Sequence, residues 1–142
     1  MNSVATLLSN KAAGIHALPA SATVLEAIRL MAEQQIGSVL IMDGAQLSGI
    51  FTERDYARKV VLLGRASMNT PVSEIMSSPV QTVRREDTIN HCMTLMTKSR
   101  IRHLPVLDGD DVVGLLSIGD LVKAVIEQQA REIDELQRYI AG

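Results

Sequence analysis

The chain is poor in the residues that most often carry recognisable chemistry: among its 142 residues are one cysteine, one phenylalanine, two tyrosines and no tryptophan. A lone cysteine, Cys92, leaves no partner for an internal disulfide and too few thiolates for a zinc site. With a net charge of −2 and 2% aromatics, the chain lacks both the basic face and the stacking platform of a nucleic-acid binder. Any planar ligand would have to lie between aliphatic side chains and backbone. No apolar run approaches the roughly 20 residues of a membrane span. The opening "MNSVATLLSNK" lacks the basic start and sustained apolar stretch of a secretory signal, so a cytoplasmic protein is expected. His16, His91 and His103 lack metal-site spacing, and "DGDD" at 108–111 lacks the acidic pattern of a calcium loop, so no bound metal is expected. Neither a Gly-x-x-x-x-Gly-Lys loop nor a Gly-x-Gly-x-x-Gly fingerprint occurs, and no Ser, Cys or Asp stands in a nucleophile arrangement. The expectation is a binding protein without a catalytic cofactor, not an enzyme.

What the chain does have is an apolar fraction of 46%, a mean hydropathy of +0.15 and a length that buries a substantial core. It also has a repeat. Sliding the sequence by 65 positions places Gly49 on Gly114, Asp55 on Asp120, Thr23 on Thr88, Met31 on Met96 and Asp43-Gly44 on Asp108-Gly109, without a gap. A unit of about 60 residues is marginal alone, so the two copies are expected to bury their apolar faces in one joint core. In each copy an amphipathic helix starts after a capping threonine: Val24, Ala27, Ile28 and Met31 follow Thr23, and Ile89, Cys92, Met93 and Met96 follow Thr88. A hairpin then turns at Asp-Gly, and a second helix begins, "ERDYARKVVLL" in one copy and "GDLVKAVIEQ" in the other. Short segments "IHAL" and "VQTV" ahead of the first helices add a strand, which makes the class α/β (α+β), with β-α-β-β-α occurring twice. The expected divisions are 1–63 for the first unit with an N-terminal helix, 64–78 for a linker with a helical turn at 72–76, 79–127 for the second unit and 128–142 for a C-terminal helix. Ile126, Ile133 and Ile140 recur every seven residues there, which suits pairing with a second copy, and a homodimer is expected.

The repeated motifs "GIFTERD" and "GLLSIGD" sit where a strand gives way to a helix, a place where free N–H groups and the helix dipole favour an anion. Thr52 and Ser117 are placed to donate to a phosphate, and Asp55 and Asp120 to accept from the adjacent hydroxyls of a ribose. The same spacing is also a capping box, in which the acid folds back onto its own backbone. Both readings stand at the level of the residues. The recurrence of Gly, Thr or Ser, and Asp while the residues between them differ favours a ligand, as do nearby bases such as Arg54 and Arg102.

The duplicated helix, hairpin and Gly-h-x-[Ser/Thr]-x-x-Asp, with "IRHLPVLD" and "SEIMSSPVQTV", resembles a tandem pair of cystathionine-β-synthase (CBS) domains over about residues 3 to 127. The resemblance implies two units related by a pseudo-twofold axis, with clefts that bind adenosine-containing ligands: AMP, ADP, ATP or NAD(H). It further implies that Thr52 and Asp55 serve one cleft and Ser117 and Asp120 the other. Gly37, Ser38, Arg102 and His103, at the entries to the hairpins, and Ile15, His16 and Val80, beside the first strands, would lie near the ligands. Stand-alone pairs of this kind dimerise and report the cell's energy or redox state to a regulated protein partner. The competing expectations are a structural dimerisation scaffold whose motifs only cap helices and a small hydrolase or transferase acting on a nucleotide.

Overall fold

The computed structural model describes residues 3–11 and 14–141. Its elements follow the repeat. After a short helix α1 (Val4–Ser9), the first unit runs β1 (Ala17–Pro19), α2 (Val24–Gln34), β2 (Ser38–Asp43), β3 (Gln46–Thr52) and α3 (Glu53–Asp55). The second unit runs β4 (Val83–Arg84), α4 (Ile89–Ser99), β5 (His103–Asp108), β6 (Asp111–Ser117) and α5 (Ile118–Ala141). Each unit has a three-stranded sheet in which the first strand pairs parallel to the second, across a crossover helix, and the second pairs antiparallel to the third. The correspondence reaches fine detail. Both crossover helices are capped by threonine and close on a residue in the left-handed conformation, Gln35 at φ 55° and Arg100 at φ 54°. Both hairpins slip register at the same place, between Ile41 and Met42 and between Val106 and Leu107.

Strand alternation sends Val39, Ile41 and Phe51 to one face of the first sheet, where they pack with Val24, Ala27 and Met31 of α2. Leu104, Val106 and Leu116 pack in the same way with Ile89, Cys92 and Met96. These are two separate cores, and the single joint core expected from unit length does not form. The reason is that each crossover helix covers the inner face of its own sheet. What the units share is the opposite face, where Leu40, Ile50 and Pro105 are buried and β3 meets β6.

Each core is completed by a segment from outside its own repeat. Val72 and Ile75, in the stretch read as a linker, are fully inside the first core. Val4 of α1 is fully inside the second, although it precedes the first unit in the chain. The two segments dock identically: Val72 N–H donates to Ala22 O at 2.7 Å, and Val4 N–H donates to Asp87 O at 2.8 Å. Isolated bridges pair Pro71 with Thr23 and Ser3 with Thr88. This docking also explains the motif glycines. A Cβ on Gly49 would run into Met76, and one on Gly114 would lie 2.6 Å from Leu8, so both strands need glycine where the segment crosses them.

Two elements depart from the expected helices. Beyond Asp55 the chain winds as a π-helix, Tyr56–Val61, with Leu62 N–H bonded to Ala57 O. The helix that opens the second unit's motif does not stop near residue 127 but runs unbroken for 24 residues, since no proline or glycine interrupts it after Asp120.

Candidate functional site

The first turn of each motif helix is pinned to the hairpin before it, Glu53 N–H to Gly37 O at 3.1 Å and Ile118 N–H to Arg102 O at 2.9 Å. This brings the hairpin entry and the motif of each unit side by side. Because β3 meets β6, the two such corners face each other and enclose a cleft of about 500 Å³. Thr52, Asp55, Arg54 and Gly37 of the first unit line it, as do Arg102 and His103 of the second. Six of the twelve expected residues therefore share one cavity, whose size suits a small-molecule ligand. Arg100 joins them, and Arg54 Nη1 donates to Arg100 O at 2.5 Å across the units. Three guanidiniums line a single cleft, with Glu53 and Asp55 as its acids.

The others disperse. Asp120 lines a second cavity of about 290 Å³ between α1, α4 and α5, and Ile15 lines a third of about 360 Å³ beside Lys11 and Leu115. Ser38 is buried, paired in register with Thr52, and Ser117 is paired with His103. His16 and Val80 are half-buried and line none of these three cavities. His16 carries a structural bond, its carbonyl accepting from Leu40 N–H at 3.1 Å.

Asp55 folds back onto its own helix start. Its Oδ2 accepts from Thr52 N–H at 3.0 Å and Thr52 Oγ1 at 3.1 Å, while Asp55 N–H donates to Thr52 Oγ1 at 3.2 Å, a complete capping box. Its Oδ1 accepts from Ser77 Oγ and faces Lys59 Nζ, each at 3.0 Å. Asp55 is buried, and both oxygens of its carboxylate are partnered. Asp120 repeats the backbone half of this, Oδ2 accepting from Ser117 N–H at 2.8 Å and Asp120 N–H donating to Ser117 Oγ at 3.2 Å. Its other partner differs: Lys11 Nζ sits 2.8 Å from the same oxygen. Burial alone would push the Asp120 carboxyl up, but the Lys11 and Ser117 hydrogen bonds and the Lys11 charge outweigh it and hold the carboxyl below its ordinary range. His103 moves down as well. Burial disfavours its imidazolium, and Lys11 and Arg102 add to this against the opposing pull of Glu53 and Asp120. At neutral pH it stands in the cleft as an uncharged hydrogen-bonding group.

Ser77 and Lys11 escaped the sequence reading. Ser77 reaches the site through an isolated bridge to Ile50, and Lys11 from 109 residues away, so neither lies within any local pattern.

The profile of the CBS domain matches residues 12–62 and 72–127, one match on each unit. The chain belongs to the CBS domain family. As a CBS pair it is 41% identical over 125 residues to the "CBS domain-containing protein CBSX3, mitochondrial" of Arabidopsis thaliana, covering 84% of this chain and 61% of that protein, so the pair spans only part of that relative's length. A protein with CBS domains from Burkholderia ambifaria MC40-6 is 50% identical, with a TM-score of 0.86 over 89% of this chain and 96% of that one. The CBS domain pair of protein MJ0100, whose structure holds 5′-methylthioadenosine and S-adenosyl-L-methionine, shares the fold at a TM-score of 0.79 and 23% identity, over 89% and 97% of the two chains. Among the described residues of this CBS pair, no helix is long and apolar enough to cross a membrane.

Proposed function

We propose that the CBS pair is a non-catalytic sensor that takes an adenosine-containing nucleotide into the cleft between its units and passes that state to a protein partner. The observation that carries this is the convergence of Arg54, Arg100 and Arg102 with Thr52, Asp55 and uncharged His103 on one 500 Å³ cleft built by both units. Three guanidiniums suit a phosphate chain, and an acid beside a hydroxyl at a helix start suits a ribose. A ligand that touches both units couples their relative position to its own presence, which is what a sensor requires. That the MJ0100 pair holds two adenosine compounds supports the fold's capacity for such a ligand. The ligand class comprises AMP, ADP, ATP and NAD(H). The place of action is the cytoplasm, and the assembled form is a homodimer joined through the exposed Ile126, Ile133, Leu136 and Ile140 of α5.

One observation favours a second reading. Both oxygens of Asp55 are already engaged by its own chain, as in a scaffold whose motif only caps a helix. The two readings separate in a melting experiment with AMP, ADP, ATP, NAD+ and NADH. A ligand a hundredfold above its Kd stabilises by about 2.7 kcal/mol, a rise of several degrees for a chain of this size. Flat melting curves with all five at millimolar concentration leave only the scaffold.

A further inference from the structure

The two acids of the repeat are held in place by different devices. In the first unit Ser77 lies alongside β3: its N–H donates to Ile50 O at 2.8 Å, its carbonyl accepts from Ile50 N–H at 3.1 Å, and its hydroxyl donates to Asp55 Oδ1 at 3.0 Å. Under the 65-residue shift, Leu115 and Asp120 stand where Ile50 and Asp55 stand. Here a side chain does the work that a bridged backbone does in the first unit. Lys11 Nζ donates to Leu115 O and also pairs with Asp120 Oδ2 at 2.8 Å. One ammonium thus satisfies both the carbonyl and the acid.

The two devices differ in how readily they can be removed. Asp55 also faces the flexible ammonium of Lys59, but Ser77, fixed by its own backbone, keeps a donor on the carboxylate when that arm moves. Lys11 is held at the tip of a flexible four-carbon arm, and its side chain is 32% exposed. The acids reflect this, the Asp120 side chain being 24% exposed against 6% for Asp55.

We propose that Lys11 is a tethered stand-in for a ligand at the second cleft, occupying the Asp120 carboxylate and the Leu115 carbonyl until a ribose displaces it, and so setting which ligands that cleft accepts. This rests on the reading of Asp120 as a ribose-binding acid. A ribose brings hydroxyls to Asp120 but leaves the displaced ammonium without a counter-charge, and a phosphate on the same ligand restores one. The second cleft therefore admits AMP in preference to unphosphorylated adenosine, and Lys11 is the residue that discriminates. The depressed carboxyl of Asp120 agrees with a contact that holds the charged form.

The test follows the backbone amides of Thr52 and Ser117 by NMR in the full chain during adenosine and AMP titrations, with the native protein, Lys11→Met and Lys11→Arg. In Lys11→Met the Ser117 amide should respond to adenosine at about tenfold lower concentration, the weight of one competing charge-assisted bond, with the Thr52 response unmoved. Lys11→Arg, which keeps the charge, should behave as the native protein. A Ser117 response to adenosine that is unchanged or weaker in Lys11→Met overturns the inference. Silence of both amides in every protein instead refutes the nucleotide reading. The inference falls with that reading, whereas a Thr52 response beside a Ser117 amide that is silent in all three proteins overturns the inference alone.

Discussion

Asp55 and Asp120 occupy the same place in two copies of one fold, yet the first is sealed by four donors and the second, more exposed, is held by two, the Ser117 N–H and the Lys11 ammonium. The helix start is the same in both, so the difference does not come from the motif. It comes from what crosses the third strand of each sheet and from the turn after the motif, where Lys59 has Ala124 as its counterpart. The chain after Met76 stays beside β3 and delivers Ser77, whereas among the described residues after Leu8 it is the Lys11 side chain that reaches the acid. Duplicated sequence supplies matching frames, and the crossing segments make the two sites unequal.

That comparison can be broken most directly at the acids themselves. Asp55→Ala should lower stability in urea denaturation by about 3 kcal/mol, since it strips a buried capping box, a hydroxyl bond and an ion pair at once. Asp120→Ala should cost about 1 kcal/mol, and equal losses would show that the two acids are held alike. Next come the crossing segments. Val72→Ala and Val4→Ala each remove two methyls from a fully buried position, at about 2 kcal/mol apiece. A much smaller loss for Val4→Ala would mean that α1 is not an integral part of the second core.

The smallest expected effect is the pH dependence carried by His103, whose counterpart Ser38 does not titrate. The folded imidazole binds its proton less readily than the unfolded one, whose ordinary value is 6.5. Its contribution is whole above that value and is lost as the pH falls through it, because the unfolded chain then gains the proton first. Chemical denaturation between pH 7.5 and 5.5 should show this slope, flattened in His103→Gln. Asp120 acts in the same direction at lower pH: stability present above its ordinary 3.8 is lost as the pH falls through the depressed folded value.

Much of this could be read along the chain. The spacing of Val24, Ala27 and Met31, and of Ile89, Cys92 and Met96, identified the buried helix faces, and the Asp-Gly pairs marked both hairpin turns. The strands before the first helices were displaced, to Ala17–Pro19 and Val83–Arg84, because two or three residues in parallel pairing leave too short a pattern to bound. The first cleft was legible in its acid, hydroxyl and arginines, while Ser77 and Lys11 were not.

What the sequence determined by itself is the duplicated frame: the order of elements, their caps and turns, and the two acids three residues after a hydroxyl. These rest on contacts within a few residues, where spacing is geometry. The tertiary structure decided which segment completes which core, and thereby what each acid faces. Those contacts join residues as far apart as Lys11 and Asp120, and no periodicity along the chain records them.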